Sequence, residues 1–172
     1  MAEERGGIVT FKGNPVTLLG PEIKVGDRLP SATLTAIDLK PVSISDSNKA
    51  KLIITVPSVD TSVCSLEAKK FSDAVLTLDS SKIAVYLVSA DLPFALRRWA
   101  KEEGVDNLVL LSDYRGMEMA RSWGLYLKEL ALFARAVYVA DADGLVTYRE
   151  IVPEVAMEPN YAAGLEAVQA TA

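Results

Sequence analysis

A chain of 172 residues, half of them apolar and 24% charged, has the length and composition of one soluble domain spanning residues 1–172. Its net charge of −5 has the wrong sign for a nucleic-acid footprint, and no apolar run is long enough to cross a bilayer. It has no histidine and one cysteine, which excludes imidazole catalysis, His-ligated metal, internal disulfides and cysteine-rich metal clusters, and leaves carboxylate, hydroxyl or unassisted thiolate chemistry with no cofactor expected.

The opening MAEERGG is charged and has no apolar stretch behind it, so a secretory signal is not expected and the cytoplasm is. IVTFKGNPVTLLG alternates around Gly13-Asn14 and predicts a hairpin. ATLTAIDL and KPVSIS read as a second pair of short strands, and KLIITV as a buried strand broken at Pro57. A helix follows, with Phe71, Ala74, Val75 and Leu78 on one face. KIAVYLVSA predicts the next buried strand. Asp91 and Pro93 then open a helix, with Asp91 as cap, Leu96 and Trp99 on one side and Gly104 as its stop. NLVLLS is strand-like, and GMEMARSWG a short helix closed by Gly124. RAVYVA, the turn DADG and LVTYREIV form a hairpin, and NYAAGLEAVQA the last helix. This order of elements indicates an α/β sandwich. The mixed order, with an added N-terminal β-hairpin, suits a thioredoxin-like, three-layer sheet better than a purely parallel one, an assignment that leans partly on the family resemblance described below.

The cysteine lies in PSVDTSVC, where a strand gives way to a helix, so Cys64 falls in the helix's first turn. Main-chain N–H groups there lack intrahelical partners, and their partial positive charge favours a thiolate. Thr61, at or beside the cap, aims a hydroxyl at the same point. Position alone leaves two readings open, since a free cysteine is also a common small apolar core residue. The strand break at Pro57, the cap at Thr61 and the polar approach through Asp60 and Ser62 favour the reactive one.

PSVDTSVC resembles the P-x-x-x-T-x-x-C signature of peroxiredoxins, in the variant carried by the bacterial thiol peroxidase subfamily. SADLPFALRRW, ARAVYVADADG, the opening VTFKGNPVTLLG with VGDRLPSATLTAIDL, and EPNYAAGLEAV resemble further segments of that subfamily, in order and over nearly the whole chain. The resemblance implies a thioredoxin-like fold that reduces hydrogen peroxide and alkyl hydroperoxides. It makes Cys64 the peroxidatic nucleophile and Thr61 a hydrogen-bond partner of thiolate and peroxide. Pro57 becomes a shield against water and Arg135 a source of positive charge. It also implies a homodimer recycled by a thioredoxin-like or low-molecular-weight thiol.

One departure matters. Where members of the subfamily commonly carry a resolving cysteine, this chain has Ala100, so an external thiol has to reduce the sulfenic acid. The missing cysteine also suggests two rival readings: a catalytically silent interaction module or holdase, and a one-cysteine thiol transferase. Elsewhere, Asp141 and Asp143 read as turn residues. Met117, Met119, Trp123 and Tyr126 read as core or as a contribution to a subunit interface. Pro153 and Pro159 argue against a helical face for Glu150, Glu154 and Glu158.

Overall fold

The chain begins with two antiparallel strands, β1 (Glu4–Phe11) and β2 (Asn14–Leu19), in a computed structural model that describes residues 1–172. Their turn is Lys12-Gly13, one residue earlier than the alternation suggests. Both turn residues have positive φ (50° and 79°), the backbone of a two-residue turn whose twist matches that of its strands.

The second strand pair forms as expected, β3 (Thr33–Ala36) with β4 (Pro41–Ser43), and is followed by the buried strand β5 (Ala50–Thr55). Helix α1 (Ser62–Val75) is capped by Thr61 and buries Cys64, Glu67, Ala68, Phe71, Ser72 and Val75. Leu78 falls beyond its end. Next come β6 (Ile83–Ser89), α2 (Pro93–Glu103), β7 (Val109–Ser112) and the short α3 (Glu118–Ser122). Pro93 opens α2 and Gly104 closes it at φ 68°.

Asp91 does not cap α2. Its carboxylate accepts from the Ser58 and Ser89 hydroxyls and from Val59 N–H, tying the loop before α1 to the end of β6, and Leu92 takes the cap position. Three donors from two neighbouring segments outcompete a single local cap.

Two further strands, β8 (Tyr126–Leu127) and β9 (Leu132–Phe133), were not anticipated, because two-residue strands are too short to show a period. The chain then runs through β10 (Ala136–Ala140), β11 (Val146–Ile151) and α4 (Tyr161–Thr171), the last capped by Asn160.

Strands β11-β10-β5-β6-β7-β3-β4 form one seven-stranded sheet, with β5, β6 and β7 parallel and the other pairings antiparallel. Side chains alternate across it. Leu52, Ile54, Val137 and Val139 join Phe71, Leu96, Trp99 and Val168 beneath α1, α2 and α4. Ile53 and Tyr138 face the other way, onto Leu18, Met119, Trp123 and Phe133. That opposite layer is α3 with the four-stranded sheet β1-β2-β8-β9. The result is a helix–sheet–hairpin sandwich of thioredoxin-like type with the N-terminal hairpin added. Met119 and Trp123 are 1% exposed and belong to this core.

Candidate active site

Strand β5 delivers the site. Its ladder ends at Thr55, Pro57 cannot donate to a continuing strand, and the chain turns through Ser58–Thr61 into α1. Thr61 has extended backbone, and its hydroxyl oxygen accepts from Cys64 N–H at 3.3 Å. Cys64 therefore sits in the first turn, as its position in the sequence implies, and is fully buried.

Arg135 comes from the short connection between β9 and β10, and is 2% exposed. Its Nη2 lies 3.1 Å from Cys64 Sγ across 71 residues of sequence. Nε and Nη2 also donate to the Val155 carbonyl at 3.1 and 3.0 Å, and Nη1 donates to the Glu67 carboxylate. Burial works against the guanidinium's charge, but Glu67 and the sulfur outweigh it and hold its pKa above the ordinary value.

Glu67 was not singled out in the sequence, yet it is fully buried one helical turn beyond Cys64 on the same face of α1. The available signal was a glutamate at i+3 from the cysteine, amid the otherwise apolar positions Cys64, Ala68 and Phe71. Burial pushes its carboxyl up to about 7 although Arg135 pulls the other way, and its Oε1 has no hydrogen-bond partner.

A cleft of about 370 Å³ opens over this cluster. Pro57, Thr61 and Arg135 line it together with apolar side chains that include Phe11, Leu132 and Val155. The structure thus brings together Cys64, Arg135, Thr61 and Pro57. The contact expected from the Thr61 hydroxyl to the sulfur is replaced: the hydroxyl donates instead to the Ser58 carbonyl at 3.2 Å, completing its turn. Ala100 lies on the buried face of α2, in the same apolar cluster as Cys64.

A family model described as Redoxin matches residues 24–165. The thiol peroxidases of Listeria innocua and Bacillus subtilis are 46% and 43% identical to the chain over 162 and 163 residues. Each alignment covers 94% of this chain, and 97% and 96% of the respective relative. The chain belongs to the redoxin family, among its thiol peroxidases. A crystal structure of a peroxiredoxin-like protein from Aquifex aeolicus superposes with a TM-score of 0.90 at 38% identity, over 98% of this chain and 99% of that one. In this thiol peroxidase the arginine and the cysteine come from opposite halves of the matched region, and the antiparallel pairing of β10 with β5, which sets Ala136 beside Thr55, brings them together.

Proposed function

We propose that the chain is a thiol-dependent peroxidase acting on hydrogen peroxide and small alkyl hydroperoxides, with residues 1–172 as a single working domain. The observation that carries this reading is the 3.1 Å contact between Arg135 Nη2 and Cys64 Sγ in a buried setting at a helix start. The Cys64 thiolate attacks the terminal peroxide oxygen. An S–O bond forms, the O–O bond breaks, and the leaving alkoxide or hydroxide takes up a proton, leaving a sulfenic acid on Cys64. Negative charge moves from sulfur to the departing oxygen, so a fixed guanidinium that lines the cleft and touches the sulfur stabilises the transition state more than the ground state. Thr61 holds the turn that presents Cys64, and Pro57 walls the cleft against water.

Recycling uses two equivalents of an external thiol. The first condenses with the sulfenic acid, releasing water and leaving a mixed disulfide. The second displaces Cys64 as thiolate. A single cysteine, with Ala100 on α2 in the same apolar cluster, supports this route over an internal disulfide. A thioredoxin-like protein or a low-molecular-weight thiol fills the role, and the cytoplasm, where such thiols are kept reduced, is the expected compartment. A homodimer is supported by the exposed apolar side chains of Leu66 on α1, of Leu92 at the cap of α2 and of Phe94 in its first turn. Sedimentation analysis should report twice the chain mass.

Stopped-flow oxidation by hydrogen peroxide and by cumene hydroperoxide at pH 6 to 8 tests the activity. Cys64 should react far faster than free cysteine. Arg135→Ala should slow it about 100- to 1,000-fold, the usual cost of removing one fixed donor to a developing oxyanion. Equal rates in the two proteins would defeat the reading. A preference for glutathione mixed disulfides over peroxides would point to a transferase instead.

A further inference from the structure

The N-terminal hairpin β1–β2 precedes the residues matched by the redoxin model, yet it grips the segment that holds the arginine. Residues 152–155 wrap around Arg135: Val152 N–H donates to the Arg135 carbonyl at 2.9 Å, and the Val155 carbonyl accepts from its Nε and Nη2. Glu154, between them, turns outward to the hairpin. Its carboxylate accepts from Thr10 Oγ1 at 2.6 Å, Lys12 N–H at 2.9 Å, Gly13 N–H at 3.2 Å and, within its own loop, Ala156 N–H at 3.1 Å. Main-chain bonds support the same join, from Thr10 N–H to the Pro153 carbonyl at 2.8 Å and from Val155 N–H to the Thr10 carbonyl at 2.9 Å.

We propose that Glu154 is a positioning residue through which the N-terminal hairpin buttresses Arg135 against Cys64. The inference rests on the peroxidase reading above. A guanidinium useful to the transition state has to be held in place before reaction, and loosening such a group by about 1 Å costs on the order of 100-fold in rate. The Arg135 guanidinium is fixed on one side by Glu67 and on the other by the Val155 carbonyl, whose segment belongs to no helix or strand and is bridged to the hairpin at Thr10. The Glu154 carboxyl is held down to about 2 by the Thr10 hydroxyl and then by Ala156 N–H, with burial opposing them. It is therefore ionised across pH 6 to 8, where the oxidation is measured. The same turn also contributes Phe11 and Lys12 to the cleft wall, so two effects of the hairpin have to be separated.

Stopped-flow oxidation of Cys64 separates them. Glu154→Ala should lower the rate constants for hydrogen peroxide and cumene hydroperoxide together, by about tenfold, and Glu154→Gln should recover part of the loss. The double variant Glu154→Ala/Arg135→Ala should be no slower than Arg135→Ala alone. Glu4→Ala, which cuts the hairpin's ion pair with Lys128 at its other end, should leave both rates unchanged. A folded Glu154→Ala with wild-type rates, a loss confined to cumene hydroperoxide, or losses that multiply in the double variant would overturn the proposal. If Glu154→Ala does not fold, Thr10→Val decides, with an expected fall of about threefold in both rates and no change as the refuting result. Amide exchange at Val152 supplies a readout independent of activity: it should quicken in Glu154→Ala and not in Glu4→Ala. Unchanged exchange sinks the buttress, whereas a slow wild-type thiol with quickened exchange sinks only the peroxidase reading.

Discussion

At Arg135 one guanidinium distributes its donors among a sulfur, a carboxylate and a main-chain carbonyl, all within the interior. Five N–H groups in a rigid fork suit this better than a lysine ammonium would. Glu67 balances the charge at a cost: its folded pKa, about 7, lies above the ordinary value of 4.5. For a carboxyl raised in this way the folded protein binds the extra proton more readily than the unfolded chain does. The resulting stabilisation is present below pH 4.5 and is lost as pH rises through 7. Glu67→Gln removes the titration. Thermal unfolding between pH 5 and 8 should therefore show a midpoint that falls with pH in the wild type, relative to a flatter profile in the variant. Parallel profiles would show that Glu67 does not titrate in that range. The cysteine was readable from its setting and the arginine through the family resemblance, Glu67 only as an i+3 neighbour, and the Val155 carbonyl not at all, because a main-chain acceptor leaves no mark on side-chain identity.

Among the elements, the N-terminal hairpin buries Val9, Val16 and Leu18, and the chain that leaves it passes close to the end of α3 at two glycines. Gly20 has φ 108° and Gly124 has φ 65°, and each lies against the other's neighbourhood. A Cβ on Gly20 would collide with the Arg121 carbonyl oxygen, and one on Gly124 with that of Pro21. Both atoms belong to backbone that cannot give way cheaply. Gly20→Ala should therefore destabilise the fold by more than about 2 kcal/mol, combining strain at positive φ with the clash. Urea denaturation measures this, and a loss under about 0.5 kcal/mol, the range of an indifferent surface change, would contradict it. The hairpin itself was legible from alternation, its turn only to within one residue. β8 and β9 escaped notice because strands of two residues are defined by their partners, not by a pattern of their own.

For the molecule as a whole, one cysteine sets the course of oxidation. Cys64 is fully buried beside a cleft that Thr61, Ser62 and Val63 help to line, so the sulfur is reached from the cleft and not from open surface. With no second thiol in the chain to trap the sulfenic acid, excess peroxide competes directly with the external thiol. Mass spectrometry after one equivalent of hydrogen peroxide should show one added oxygen on Cys64. A large excess without thiol should show two and three, and prior addition of a small thiol should replace these with a mixed disulfide. A singly oxidised product that resists excess peroxide would show that the pocket itself protects the intermediate.

What the sequence determined alone is local. Pro57 ends a strand, Thr61 caps the helix that follows, and Cys64 must then lie in its first turn, because proline's missing N–H and a cap hydroxyl act within a few residues. The lack of any second cysteine likewise settles that no internal disulfide forms. What only the tertiary structure decided is the surroundings of the sulfur: Arg135 71 positions away, Glu67 sharing its guanidinium, and Glu154 holding the loop from a hairpin more than a hundred residues distant in the chain. Those contacts follow from how α1, β10 and the hairpin pack around one sheet, and packing between distant segments depends on shape and main-chain acceptors that no short stretch of residues encodes.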